Sequence, residues 1–162
     1  MVLSDAEAIE QTRKIIEWRQ AEQTRLKKIH DYVRDEQRLD WLPSGTPQEV
    51  QTLARLARVN VLKFIVDSST QSLYVDGLRS RGQGNAPSWD LWQRNRMDAR
   101  QIGIHRAALT YGASYATILP GAPVPVIRGH SPRAMTAMYG FDDEWPTVAL
   151  ERIRGMWRLY DD

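Results

Sequence analysis

Apolar positions change their spacing once along this chain. Up to about residue 113 they recur at helical intervals. From Ser114 they fall in runs of strand length separated by turn residues. Ser4 and Glu7 have the spacing of a capping box, so a first helix is predicted from Ser4 to about Arg38. Its apolar residues are Ile9, Ile16 and the trio Leu26, Ile29 and Val33, and between them runs the polar stretch Arg19–Arg25. Such a helix has no continuous stripe to bury in its own domain. It is predicted to lie solvated on the surface or against a neighbouring subunit.

Pro43-Ser44-Gly45 closes that region. Thr46-Pro47-Gln48-Glu49 reads as a second capping box with proline at the first helical position. Val50, Leu53, Ala54, Ala57, Val61, Phe64 and Ile65 then recur at helical spacing and are predicted to be core, on a helix that reaches about Ser72 with a kink near Asn60. Leu73–Leu78 reads as a short strand or extended exit, and 79–87 as a loop. Ser88 is predicted to cap a short helix with Trp89, Leu91 and Trp92. Asp98 is predicted to cap another, with Ile102, His105 and Leu109 on one face.

Strands are predicted at 114–119, 124–127, 134–139, 148–153 and 156–160, with Pro120-Gly121 and Gly155 in turns. The fold class is therefore α+β: N-terminal helices including a long first helix, followed by a small antiparallel sheet.

At 162 residues the chain suits one domain of ordinary size. The 22 basic and 20 acidic residues nearly cancel, so charge alone predicts neither a nucleic-acid nor a membrane partner. No apolar stretch approaches the roughly 20 residues of a membrane span. The absence of cysteine removes disulfides, thiolate metal sites and a thiol nucleophile. With no signal-peptide core at the N-terminus, synthesis in the cytoplasm is the expectation. Six tryptophans are many for this length and are expected in a core or at interfaces.

Candidate chemistry is thin. His30, His105 and His130 lack partners at metal-ligand spacing. His105 is predicted to be packed and hydrogen-bonded, His30 solvated on a charged helix, and His130 part of a turn. Asp142-Asp143-Glu144 before Trp145-Pro146 reads as a solvated turn rather than a hard-metal loop. Gly82-Gln83-Gly84 has Pro87 where a dinucleotide fingerprint needs glycine. Ser68 and Ser69 lack elbow glycines. No nucleophile, base and oxyanion set emerges, so no enzyme activity, cofactor or metal is predicted. Arg94, Arg96, Arg100 and Arg106 form a basic cluster near Trp89 and Trp92, and Arg55, Arg58 and Lys63 form another. Either could face a neighbouring subunit or bind nucleic acid as part of a small helical module.

Four segments carry a resemblance. They are Arg58-Val59-Asn60-Val61-Leu62 with Asp67, Leu73-Tyr74-Val75-Asp76-Gly77, Trp89 to Asp98, and His105 to Tyr115, followed by the Ser131-Pro132 step. In this order the chain resembles the portal, or head-to-tail connector, protein of tailed bacteriophages, in the form found in siphophages of actinobacteria. The likeness covers roughly residues 46–160.

The resemblance implies an N-terminal helical segment at 1–42 and a wing-like α+β region at 43–162, with the family's stem, clip and tunnel elements absent. It implies a ring of identical subunits, usually a dodecamer, at one vertex of the phage head. DNA would be packaged through that ring and leave it toward the tail. Major capsid protein, scaffold, terminase and head-tail adaptor would be the other partners. Arg94, Arg96 and Arg100, with Arg55 and Arg58, and the polar face of the first helix are the predicted contact residues.

Overall fold

A 30-residue helix, α1 (Asp5–Arg34), opens the chain in the computed structural model, which describes residues 3–38, 41–78, 87–141 and 143–161. Ser4 caps it as expected: its backbone N–H donates to Glu7 Oε2 at 2.9 Å, and the Glu7 N–H donates to Ser4 Oγ at 3.4 Å. Then follow α2 (Gln48–Leu56), α3 (Val61–Ser72), α4 (Pro87–Arg94) and α5 (Met97–Tyr111). The strands are β1 (Tyr115–Leu119), β2 (Val126–His130), β3 (Met135–Tyr139), β4 (Pro146–Ile153) and β5 (Met156–Asp161). The α+β class holds, with the long helix first and antiparallel strands after it. The strands divide into a β1–β2 hairpin and a β3–β4–β5 sheet.

The predicted loop glycines Gly82 and Gly84 and the first acid of the run, Asp142, lie outside the described residues. Among the described residues, no helix is long and apolar enough to cross a membrane.

Polar side chains dock the long helix. Ile15 and Leu26 are buried on α1, and Ile15 joins Val148 and Leu150 of β4 in one apolar cluster. Between them Arg19 is only 4 % exposed. Its Nη1 donates to the Pro132 carbonyl at 3.3 Å and to Thr136 Oγ1 at 2.7 Å, and its Nη2 donates to the Arg133 carbonyl. The guanidinium also lies over the Trp157 ring, 5.5 Å from its centroid. The polar middle of α1, expected to face solvent or a neighbour, is thus the point where the helix grips the β2–β3 link.

Two other buried amides bind backbone in the same way. Asn95 Nδ2 donates to the Pro125 carbonyl at 2.9 Å, and its Oδ1 accepts from the Ile127 N–H at 2.9 Å, tying β2 to the α4–α5 corner. Gln101 Oε1 accepts from the Val75 N–H at 2.7 Å and its Nε2 donates to the Val75 carbonyl at 3.4 Å. Residues 73–78 therefore have an extended exit without a strand partner. At Gly129 of β2 a Cβ would collide with the Ile104 side chain of α5, so glycine permits the close approach of hairpin and helix.

Several boundaries differ from the sequence expectation. α1 stops at Arg34 because Asp35 takes a left-handed conformation, φ 63°, and its N–H bonds back to the Tyr32 carbonyl. Thr46 spends its hydroxyl on the Pro43 carbonyl at 2.7 Å, so Pro47 holds the cap position and no capping box forms. The single kinked helix is two helices. Asn60 separates them by capping α3 through the Lys63 N–H at 2.9 Å while its Nδ2 donates to the Val33 carbonyl at 2.7 Å. α4 begins at Pro87, one residue before the serine expected to cap it. Arg96, φ 52°, precedes α5 in place of Asp98, which lies in the first turn.

The largest correction concerns the predicted core stripe. Val50, Leu53, Val61, Phe64 and Ile65 are exposed, Leu53 at 64 % and Phe64 at 73 %. The cause lies in the link. With Asn60 fastened to the end of α1, α3 presents Val66 and Thr70 inward. At ~100° per residue Phe64 then points roughly the opposite way. The tryptophans are also less buried than expected: Trp18, Trp41, Trp145 and Trp157 are exposed, and Trp89 and Trp92 stack half-buried on each other.

Replacing Arg19 by Ala leaves the Pro132 and Arg133 carbonyls and the Thr136 hydroxyl short of a charged donor. We expect a loss of ~3 kcal/mol in urea unfolding, and a loss under ~0.5 kcal/mol would show that the guanidinium does not hold α1 down.

Candidate functional site

The predicted contact arginines do not share one surface role. Arg58 of the α2–α3 link turns inward to the end of α1. Its Nη1 lies 3.5 Å from Asp35 Oδ1, and its Nη2 donates to the Asp35 carbonyl at 3.3 Å. That placement sets a cation at a helix C-terminus, where the macrodipole favours it. Arg94 of α4 pairs with Asp90 at 2.7 Å along its own helix. Arg96 and Arg100 are exposed at the α4–α5 corner, and Arg55 is exposed on α2. Arg100 and Arg128 flank a hollow of about 380 Å³ above Gly129.

A different group of cations converges. A cleft of about 580 Å³ opens where α1, α3, α5 and the β2–β3 link meet. Arg34, Lys63, Arg106 and Arg133 line it, one from each of those elements, together with His30, Tyr111 and, as the one carboxylate among the described lining residues, Asp67; Arg34 also pairs with Glu36 at 2.9 Å. Asp67 is already engaged twice, by Lys63 Nζ at 2.5 Å and by Arg106 Nε at 3.1 Å. The Lys63 hydrogen bond above all holds its carboxyl below the usual aspartate value, so it stays ionised. His30 Nδ1 lies 2.8 Å from the Tyr111 hydroxyl, with the two rings stacked. Burial, then the positive charges of Arg133 and Arg34, push the His30 pKa below its ordinary value. His30 is therefore a half-buried cleft residue, in place of the solvated one expected.

The cleft continues into an apolar groove. Val33, Val66 and Thr110 line both, and Ile29, Tyr32, Leu62 and Leu109 extend the wall around a further 330 Å³ or so. Leu62, Leu109 and Tyr32 are exposed there. Cations at one end and aliphatic side chains at the other give the joined groove two recognition chemistries.

His130 also departs from its expected place in a turn. It ends β2, buried, with Nδ1 3.2 Å from Glu151 Oε1 and Nε2 2.9 Å from Thr117 Oγ1. Glu151 Oε2 in turn accepts from the Tyr160 hydroxyl at 2.5 Å. A neutral imidazole protonated on Nδ1 satisfies both neighbours, with Thr117 donating to Nε2. This chain links the hairpin, through Thr117 and His130, to β4 and β5. Burial is the main cause that lowers the His130 pKa, Glu151 opposes it, and Arg128 adds to the lowering. His105 is half-buried, with Nε2 3.3 Å from Gln101 Oε1, the packed and bonded state expected of it. Among the described residues no three His, Asp or Glu side chains converge in a way that could hold a metal ion.

Sequence reading named Lys63 and Arg106 but placed them in separate clusters, and it missed Arg34 and Arg133. The one local signal was the Lys63–Asp67 spacing, which makes an i,i+4 pair. Arg133 lies about a hundred residues from Arg34, and only the docking of α1 on the β2–β3 link joins them. No family model matches the chain, and no curated protein matches it.

Both lowered histidines bind protons more readily in the unfolded chain. Stability is therefore fully present above the ordinary histidine value of 6.5 and falls as pH drops below it. A His130→Gln variant should show a shallower fall in thermal midpoint between about pH 7.5 and about pH 5 than the wild type. Parallel curves would refute a neutral buried imidazole at His130.

Proposed function

We propose that this chain is a structural assembly protein, the wing part of a tailed-phage portal ring, made in the host cytoplasm and resident at the portal vertex of the virion. The observation that carries the self-assembly reading is the apolar stripe of Val50, Leu53, Val61, Phe64 and Ile65, turned outward on α2 and α3. All nine residues of α2, each of them described, stay unburied. Large aliphatic and aromatic side chains gain about 1.5–3 kcal/mol each on leaving water, so a stripe of this length is a strong drive to associate.

The portal assignment itself rests on the resemblance of the segments from Arg58 to Tyr115 and the Ser131-Pro132 step. Two of its signature positions have structural work: Arg58 and Asn60 fasten the α2–α3 link to α1. On this reading the protein acts by packing between subunits, with no bond chemistry. DNA passes through the ring during packaging and ejection, and capsid, scaffold, terminase and adaptor proteins meet the ring.

A second reading, a small nucleic-acid-binding module, draws on Arg100 and Arg128 across the hollow above Gly129. It requires binding that weakens steeply with salt.

Sedimentation velocity separates the two. The wild type should form species larger than a monomer. Leu53→Ser with Phe64→Ser should return it to a monomer while shifting stability by less than ~0.5 kcal/mol, because both sites are exposed. A wild type that stays monomeric at every concentration and shifts a DNA duplex at low salt would overturn the assembly reading.

A further inference from the structure

The cleft and one loop of the same chain are complementary. The β3–β4 connection carries Phe141-Asp142-Asp143-Glu144-Trp145, three carboxylates between two aromatic residues. Phe141 is 97 % exposed and Trp145 77 % exposed. Asp143 folds back over Gly140, its N–H donating to the Gly140 carbonyl at 3.4 Å, and a Cβ at Gly140 would collide with its carboxylate. Exposed aromatics flanking a run of acids are costly to leave in water and suit insertion into a groove with apolar and cationic parts.

The groove between α1, α3 and α5 has those parts. Among the described residues, four cations stand against Asp67 and against Glu36, which pairs with Arg34 at 2.9 Å, so two positive charges are left over, and the loop sequence brings three carboxylates. Asp67 is held by Lys63 and Arg106, and Glu36 by Arg34, so neither neutralises Arg133. Next to these cations the wall formed by Leu62, Val66 and Leu109 offers room for an aromatic ring.

The loop cannot enter the cleft of its own chain. The cleft borders Ser131 and Arg133, at the start of β3, whereas the loop leaves the other end of that strand. Five residues of strand separate the two by roughly 17 Å.

We propose that the Phe141–Trp145 loop of one copy docks in the cleft of the next, Asp143 and Glu144 against Arg133 and Arg106 and an aromatic side chain in the adjoining apolar groove. This rests on the self-assembly reading above and names its contact. The contact is heterologous, loop to cleft, so it repeats from copy to copy and closes a ring when the rotation per copy allows.

Charge reversal on each side tests it. Asp143→Lys with Glu144→Lys breaks the loop, and Arg106→Glu with Arg133→Glu breaks the cleft. Each variant alone should sediment as a monomer. An equimolar mixture should give one-to-one dimers and nothing larger, because only one sound loop and one sound cleft then meet. Variants that assemble like the wild type overturn the loop-in-cleft contact and leave self-assembly standing. A labelled peptide of residues 139–147, titrated by anisotropy into the full chain, tests the contact independently of assembly. It should bind the wild type, weaken with salt, and bind at least about tenfold more weakly to Arg133→Glu alone. That single exposed substitution guards against misfolding of the double variant, whose thermal melt serves as a control. If the wild type proves monomeric, self-assembly fails, and the peptide alone decides the contact: saturable, Arg133-dependent binding supports it, and no binding overturns it.

Discussion

The guanidinium of Arg19 sits between a long helix that has little apolar surface of its own and a stretch of chain that has no secondary structure to satisfy its carbonyls. Pro132 and Arg133 need donors, and α1 needs an anchor, so one buried cation supplies both. Removing the charge from water is costly, and the cost is offset only because several acceptors and the Trp157 face surround it. Everything near the cleft follows from this grip. It sets α1 beside the β2–β3 link, and it thereby brings Arg34 and His30 of one element to Arg133 of another. Asn95 and Gln101 repeat the device elsewhere, Asn95 bonding the Ile127 N–H of β2 and Gln101 the extended backbone of Val75.

Much of the architecture was legible in the sequence. The change of period near Ser114, the capping box at Ser4 and the turn at Gly155 each act locally, and each was read correctly. Helix ends were less legible, because a left-handed Asp35 or Arg96 carries no composition signal as strong as glycine. The orientation of α3 was not legible at all. Periodicity reports that a helix has an apolar face and says nothing about which way that face is turned. Here the Asn60 and Arg58 ties to the end of α1 decide it, and they depend on contacts more than twenty residues apart. The cleft was invisible for the same reason: its cations come from four elements, and only the Lys63–Asp67 pair is local.

Buried polarity and exposed apolarity are two sides of one allocation. Arg19, Asn95, Gln101, Thr117, Thr136 and Glu151 lie inside, while Phe64, Leu53, Phe141 and Trp145 lie outside. Most domains place many such residues the other way round. The interior uses directional bonds to hold irregular segments in a fixed relation, and the surface carries the large apolar side chains; the proposed self-assembly would draw on them. The Thr117–His130–Glu151–Tyr160 chain fits this allocation. It joins the hairpin to the larger sheet through groups whose geometry permits one arrangement, so the surfaces built on either side keep their spacing.

Specific association needs both kinds of surface. An apolar stripe such as the one on α2 and α3 supplies affinity but tolerates sliding, since leucine and phenylalanine side chains meet many partners almost equally well. Charge supplies register. A cleft with two excess cations among the described residues would penalise a neighbour that offers lysine or arginine there and favour one that offers carboxylates, and like-charge juxtaposition costs several kcal/mol in a desolvated contact. Asp67 contributes to that selectivity from within. It spaces Lys63 and Arg106 and keeps the cations from repelling one another while the cleft is empty. The acidic loop lies at one end of β3 and the cationic cleft at the other; if the proposed loop-in-cleft contact forms, the length and tilt of that strand would set the angle between one copy and the next.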